Sequence, residues 1–127
     1  MGTRSLTFVY ENEKPVINMY RQFDGYPSGH GVELAEFLRP VKVINGIGAG
    51  QDKPGRFANG MGCLAAQLIA HFKNSVGGFY IHSVEDTDCW QDYEYHVYED
   101  KVVVKNPTEV IFSGDWNAFE DFCMGDE

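Results

Sequence analysis

Thr3-Arg4-Ser5-Leu6-Thr7-Phe8-Val9-Tyr10 and Pro15-Val16-Ile17-Asn18-Met19-Tyr20-Arg21-Gln22 flank the short polar run Glu11-Asn12-Glu13-Lys14, and this stretch decides the fold. Both flanks alternate and are rich in the β-branched and aromatic residues that pack on a pleated surface. The polar run between them is hairpin-sized, so the front of the chain predicts an antiparallel β-hairpin. Pro15 suits the first residue of the second strand, where a missing N–H donor is tolerated. Alternation puts Ile17, Met19 and Arg21 on one face and Val16, Asn18, Tyr20 and Gln22 on the other.

Outward from the hairpin, Gly29-His30-Gly31 leads into Val32-Glu33-Leu34-Ala35-Glu36-Phe37-Leu38, whose apolar residues recur at helical spacing until Arg39-Pro40 stops them. Ser28 or His30 is the candidate cap, and free amides at that helix start would attract an anion. Val41 to Ile44 reads as a short strand, followed by a glycine-rich loop through Gly55. Met61 to Phe72 is the clearest helix, with Met61, Leu64, Leu68 and Phe72 in one stripe and Asn59 as candidate cap. Three β-like runs follow: Phe79 to Val84, Tyr93 to Tyr98, and Lys101 to Lys105. Glu109 to Phe112 adds a fourth, and Ser113 or Asp115 caps a last helix through Trp116, Phe119 and Phe122, before a fraying acidic tail at 125–127. Strands with grouped helices predict an α+β fold: an N-terminal β-hairpin and a mostly antiparallel sheet with two or three helices packed on one face.

The chain has 127 residues, 43% of them apolar, which predicts a single domain over 1–127 with a core that needs no staples. No stretch reaches the roughly 18 consecutive apolar residues of a membrane span, and no leader pattern opens the chain, so the expected location is the cytoplasm. Cys63, Cys89 and Cys123 make no CxxC pair and signal neither a disulfide framework nor a zinc site. His30, His71, His82 and His96 show no metal-ligand spacing either, so neither a metal nor a cofactor is expected.

The net charge of −9 disfavours long DNA or RNA as a partner. It is unevenly spread. Residues 1–73 carry eight basic side chains against six acidic ones, whereas residues 74–127 carry Lys101 and Lys105 against thirteen acids. A solvated acidic surface accounts for the second half; anion binding falls to the first.

Tyr20-Arg21-Gln22-Phe23-Asp24-Gly25-Tyr26-Pro27-Ser28-Gly29-His30 is the candidate site in that half. Arg21 offers a planar fork for phosphate or carboxylate. Tyr20, Phe23 and Tyr26 offer faces on which a base can stack. Asp24 and His30 can meet polar edges, and Arg4 and Arg56 are further anion contacts. A purely structural loop closed by an Arg21–Asp24 ion pair is the competing reading. The glycines at 46, 48 and 50 miss the dinucleotide fingerprint. Gly50 to Phe57 lacks the Lys and Ser/Thr of a P-loop, which leaves Lys53 and Arg56 on a surface loop.

The opening Met1-Gly2-Thr3-Arg4-Ser5-Leu6-Thr7-Phe8-Val9-Tyr10, with Met19-Tyr20-Arg21-Gln22-Phe23-Asp24-Gly25-Tyr26-Pro27-Ser28-Gly29-His30-Gly31 and Glu33-Leu34-Ala35-Glu36-Phe37-Leu38, resembles a group of short uncharacterised proteins encoded by phages and bacteria. The resemblance covers about the first third of the chain and brings no catalytic residue. It implies a setting, the cytoplasm of a host cell if the chain is phage-encoded. Small phage proteins of this sort often counter host immunity, in some cases by binding a nucleotide messenger; this is analogy at the level of setting. The expected function is therefore an anti-defence protein that binds and sequesters a small nucleotide-derived immune signal, cyclic or linear, without cleaving it. Two alternatives stay open: a phosphodiesterase-like enzyme using His30 and Asp24, and an acidic protein-binding inhibitor using Trp90 and Trp116. A homo-oligomer that shares its pocket between copies is compatible with the first reading.

Overall fold

The computed structural model describes residues 2–53 and 55–125. The hairpin forms as β1 (Ser5–Glu11) and β2 (Lys14–Arg21). Its turn is only two residues long, Asn12 and Glu13, both left-handed with φ of 51° and 70°. Positive φ at both central positions is the geometry whose twist matches that of paired strands. Pro15 is the second residue of β2, one later than expected, and the register shifts opposite it between Val9 and Tyr10.

A π-helical turn at Pro27–Gly31 runs directly into α1 (Val32–Leu38). Then come β3 (Lys42–Ile44), β4 (Phe57–Asn59), α2 (Gly60–Phe72), β5 (Phe79–His82), β6 (Tyr93–Val97), β7 (Val102–Lys105), β8 (Val110–Gly114) and α3 (Trp116–Met124). The main sheet has six strands in the order β5-β2-β1-β6-β7-β8, and β3 and β4 form a separate parallel pair. The fold is α+β, with the hairpin at the centre of the sheet. In the main sheet the expected antiparallel character holds at every junction but one, since β1 and β6 run parallel.

That exception has a topological cause. β5 lies beside β2 and β6 beside β1, so residues 83–92 must cross the hairpin to connect them. Asn18 anchors the crossing by donating through Nδ2 to the carbonyls of Ser83 (3.0 Å) and Asp86 (2.9 Å). The opposite face of the sheet is the core. Val9, Met19, Tyr95, Val97, Val102 and Val104 are buried there against Leu34 and Leu38 of α1, Leu64 and Leu68 of α2, and Phe119 of α3.

Helix starts depart in part from the sequence pattern. Asp115 caps α3, accepting from Ala118 N at 2.8 Å. Asn59 does not cap α2; its Oδ1 instead accepts from Gly46 N at 2.7 Å, tying the glycine-rich loop to β4. Neither Ser28 nor His30 caps α1, because the π-turn already engages the amides ahead of it. The expected fraying of the last acidic residues at 126–127 lies outside the described residues. No helix among the described residues is long and apolar enough to cross a membrane.

Candidate functional site

The loop between β2 and α1 is pinned from three sides. Gly25 N donates to Thr3 O at 2.9 Å, Tyr95 donates its hydroxyl to Gly25 O at 2.7 Å, and His30 N donates to Asp24 O at 2.8 Å. The approach is tight enough to require glycine, since a Cβ at Gly25 would come within 2.8 Å of Ser5 Cβ. A Cβ at Gly31 would come within 2.6 Å of Cys123 Sγ, where α3 closes on the turn.

Arg21 ends β2 on the core face, as alternation places it. Its Nε donates to Phe23 O at 2.6 Å, and Nη1 donates both to Glu33 Oε1 at 2.8 Å and to His30 Nδ1 at 3.1 Å. The guanidinium lies 4.9 Å from the centre of the Phe79 ring. An arginine cannot accept a hydrogen bond, so Nδ1 of His30 must be the unprotonated nitrogen. The ring's proton is then on Nε2, which donates to Thr7 Oγ1 at 2.8 Å. His30 is fully buried. Burial, and after it the Arg21 charge, push its pKa down to about 3. Its ring also packs 5.1 Å from Phe72 and 5.0 Å from Tyr95. This histidine is a neutral strut that holds Arg21 in place.

Arg21 opens onto a cleft of about 450 Å³ formed with Glu33, Glu36, Phe37, His71, Phe72, Asn74 and Phe79. That volume falls within the roughly 300–1,000 Å³ of small-molecule sites. Among the described residues Nη2 of Arg21 has no hydrogen-bond partner, which leaves two donors on a guanidinium that is otherwise immobilised. The walls are the rings of Phe37, Phe72, Phe79 and His71. Glu33 and Glu36 bring negative charge to the same cleft, so the site does not favour a highly charged polyphosphate.

The other sequence-predicted residues are spread more widely. Asp24 does not pair with Arg21: it is left-handed (φ 61°) and its Oδ1 accepts from the Tyr26 hydroxyl at 3.2 Å. Phe23 and Tyr26 are exposed on the outside of the loop. Tyr20 is on the opposite face of the sheet, stacked 5.0 Å from His82. Arg4 is tied by its backbone to Asp92. Arg56 leads into β4, ahead of the first turn of α2, whereas the Arg21 cleft holds His71 and Phe72 of its last turn. Thirteen residues of helix separate these ends by about 20 Å. The cleft residues that the sequence did not flag (Glu33, Phe37, His71, Phe72 and Phe79) look like ordinary amphipathic positions one element at a time. Only the aromatic start of a strand after Gly77-Gly78 hinted at Phe79.

A larger cleft, about 600 Å³, lies at the turn end of the hairpin and includes Tyr10, Glu11, Glu13, Tyr98, Glu99 and Asp100. Among the described residues no three His, Cys, Asp or Glu side chains converge as a metal site. No protein-family model matches the chain, and comparisons with the curated proteins and with the solved structures find no match.

Proposed function

We propose that this protein binds a compact, nucleotide-derived ligand in the Arg21 cleft and holds it intact. The observation that carries the reading is the state of Arg21. Three partners fix its fork, and the Nη2 donors remain unused beside a ring-lined cleft of ligand size. A pre-set arginine loses little freedom on binding, which favours affinity. A base stacked against Phe79 or Phe72, with a phosphate or carbonyl oxygen on Nη2, suits that chemistry. The nearby Glu33 and Glu36 favour a ligand with few charges, as in a cyclic nucleotide whose phosphates are diesters. In the phage setting implied by the sequence resemblance, such binding would sequester an immune signal.

The same geometry weighs against the phosphodiesterase alternative at this loop. A general acid or base must reach the proton it moves. His30 has a protein partner on each ring nitrogen and no exposure, and Asp24 is engaged with Tyr26.

The test is calorimetric titration of the protein with 3′,5′-cyclic AMP and with a cyclic dinucleotide, followed by heating and chromatography of the released ligand. Binding should weaken roughly tenfold or more in Phe79→Ala, the loss expected for one base–aromatic stack. The heated sample should return the nucleotide unchanged. Recovery of a ring-opened product would overturn the reading in favour of an enzyme.

A further inference from the structure

The polar groups of the Arg21 cleft lie together along one edge. Arg21 is only 8% exposed and its fork is fixed by Phe23 O, His30 and Glu33, so the free Nη2 donors meet a ligand through the cleft. Glu33 uses Oε1 alone, accepting from Arg21 Nη1 at 2.8 Å; among the described residues its Oε2 has no hydrogen-bond partner. The exposed Glu36 carboxylate has none at all among the same residues. Glu33 and Glu36 are three residues apart on α1, which makes them neighbours on one helix face, and both line the cleft. Glu33 is the one bonded to Arg21, so the edge runs donor, acceptor, acceptor. Flat rings make up the rest of the wall, where His71 packs 5.1 Å from Phe37 and meets Phe72 edge-on at the same distance. Two carboxylates against one guanidinium leave the edge negative. It repels a phosphate and attracts N–H donors.

We infer that the base of the ligand is guanine, and that it enters the cleft base first with its phosphate left at the mouth. The inference rests on the reading of this cleft as a nucleotide site. Guanine carries the carbonyl acceptor O6, then two donors on the same edge, N1–H and the N2 amino group. O6 accepts from Arg21 Nη2, N1–H donates to Glu33 Oε2, and the amino group donates to Glu36. Bonds to ionised partners are the stronger kind, so the edge contributes affinity as well as choice. No other common base fits all three positions. Adenine offers a donor and a lone pair in its first two places and no polar group in the third. Uracil, thymine and cytosine turn a carbonyl oxygen towards Glu36, where it is repelled. Hypoxanthine keeps O6 and N1–H but has only a C–H in the third place. A base that covers a carboxylate without pairing it strips that group of water, so it is rejected more strongly than one lost neutral hydrogen bond would suggest. Stacking on Phe79 or Phe72 tolerates every base; the polar edge discriminates.

The experiment is calorimetric titration of the full-length protein with 3′,5′-cyclic GMP, cyclic IMP and cyclic AMP, which share the phosphodiester and differ in the purine edge. Cyclic di-GMP and cyclic di-AMP are titrated beside them. Cyclic GMP should bind about tenfold or more tighter than cyclic IMP, which lacks only the amino group, and cyclic AMP should be at least as weak as cyclic IMP. Cyclic di-GMP should exceed cyclic di-AMP by a similar factor. Glu36→Ala removes an exposed carboxylate, so the fold should tolerate it. In that variant cyclic GMP should fall to the affinity of cyclic IMP, while cyclic IMP loses nothing. Equal affinities within each series in the wild type would overturn the guanine inference and leave the cleft as a general nucleotide site. A loss in Glu36→Ala shared equally by cyclic GMP and cyclic IMP would overturn it too. Failure of all five to bind would overturn the nucleotide reading itself, and this inference with it.

Discussion

His30 shows how far a single residue's role depends on its partners. In sequence it is a polar ring on a turn, open to a ligand; in the fold it is buried between Thr7 and Arg21. Both partners come from strands earlier in the chain, so nothing within the loop announces the burial. Arg21 was legible in part. Alternation placed it at the strand end on the correct face, but the nearest acid, Asp24, turned out not to be its partner. The left-handed backbone and the Tyr26 hydroxyl occupy Asp24, and Glu33 reaches Arg21 from α1. The neutral state of His30 has a signed consequence. Its pKa of about 3 in the fold lies below the roughly 6.5 of an unfolded chain. The unfolded state therefore binds the extra proton across that window, and stability rises with pH from about 3 to about 6.5. Lowering the pH from 7 to 5 should remove about 2 kcal/mol through this group alone. Urea unfolding should show that loss in the wild type and a shallower one in His30→Gln; parallel pH profiles would contradict the buried neutral ring. At pH 7, His30→Ala should cost about 3 kcal/mol or more, since it opens a core cavity and leaves Arg21 Nη1 and Thr7 short of a partner.

Elements were more legible than partners. The hairpin, the helix at Val32–Leu38 and the helix ending at Phe72 follow from local periodicity, which survives without knowledge of neighbours. β4 was missed because Phe57–Asn59 has no β-branched residue and runs straight into Gly60, whereas the equally short β3 shows in Val41-Lys42-Val43-Ile44. The cap of α2 was misread because an asparagine suits a cap and a loop anchor equally, and the loop won. Two changes test the turns and caps directly. Glu13→Gly should stabilise the protein by about 0.5–1 kcal/mol, because glycine accepts the left-handed turn position without strain. Asp115→Ala should destabilise it by about 1 kcal/mol through loss of the bond to Ala118 N. Thermal melts of both variants decide; a destabilised Glu13→Gly would contradict the positive-φ turn.

At the scale of the whole molecule, strand order was the part hidden from the sequence. Alternation gives each strand two faces but not its neighbours, and the parallel β1–β6 junction depends on residues 83–92 crossing the hairpin. The result places two clefts at opposite ends of α2, one with Arg21 and one crowded with carboxylates. The acids of the second half thus do more than dilute the net charge, since Glu99 and Asp100 are part of the second cleft and oppose any phosphate there. A nucleotide belongs, on this account, to the Arg21 cleft alone. Native mass spectrometry of the full-length protein mixed with a cyclic dinucleotide tests that most directly. The account predicts a complex that carries the intact nucleotide, survives in Tyr10→Phe and is diminished in Phe79→Ala. Absence of any complex at millimolar nucleotide, or a complex undiminished in Phe79→Ala, would contradict it.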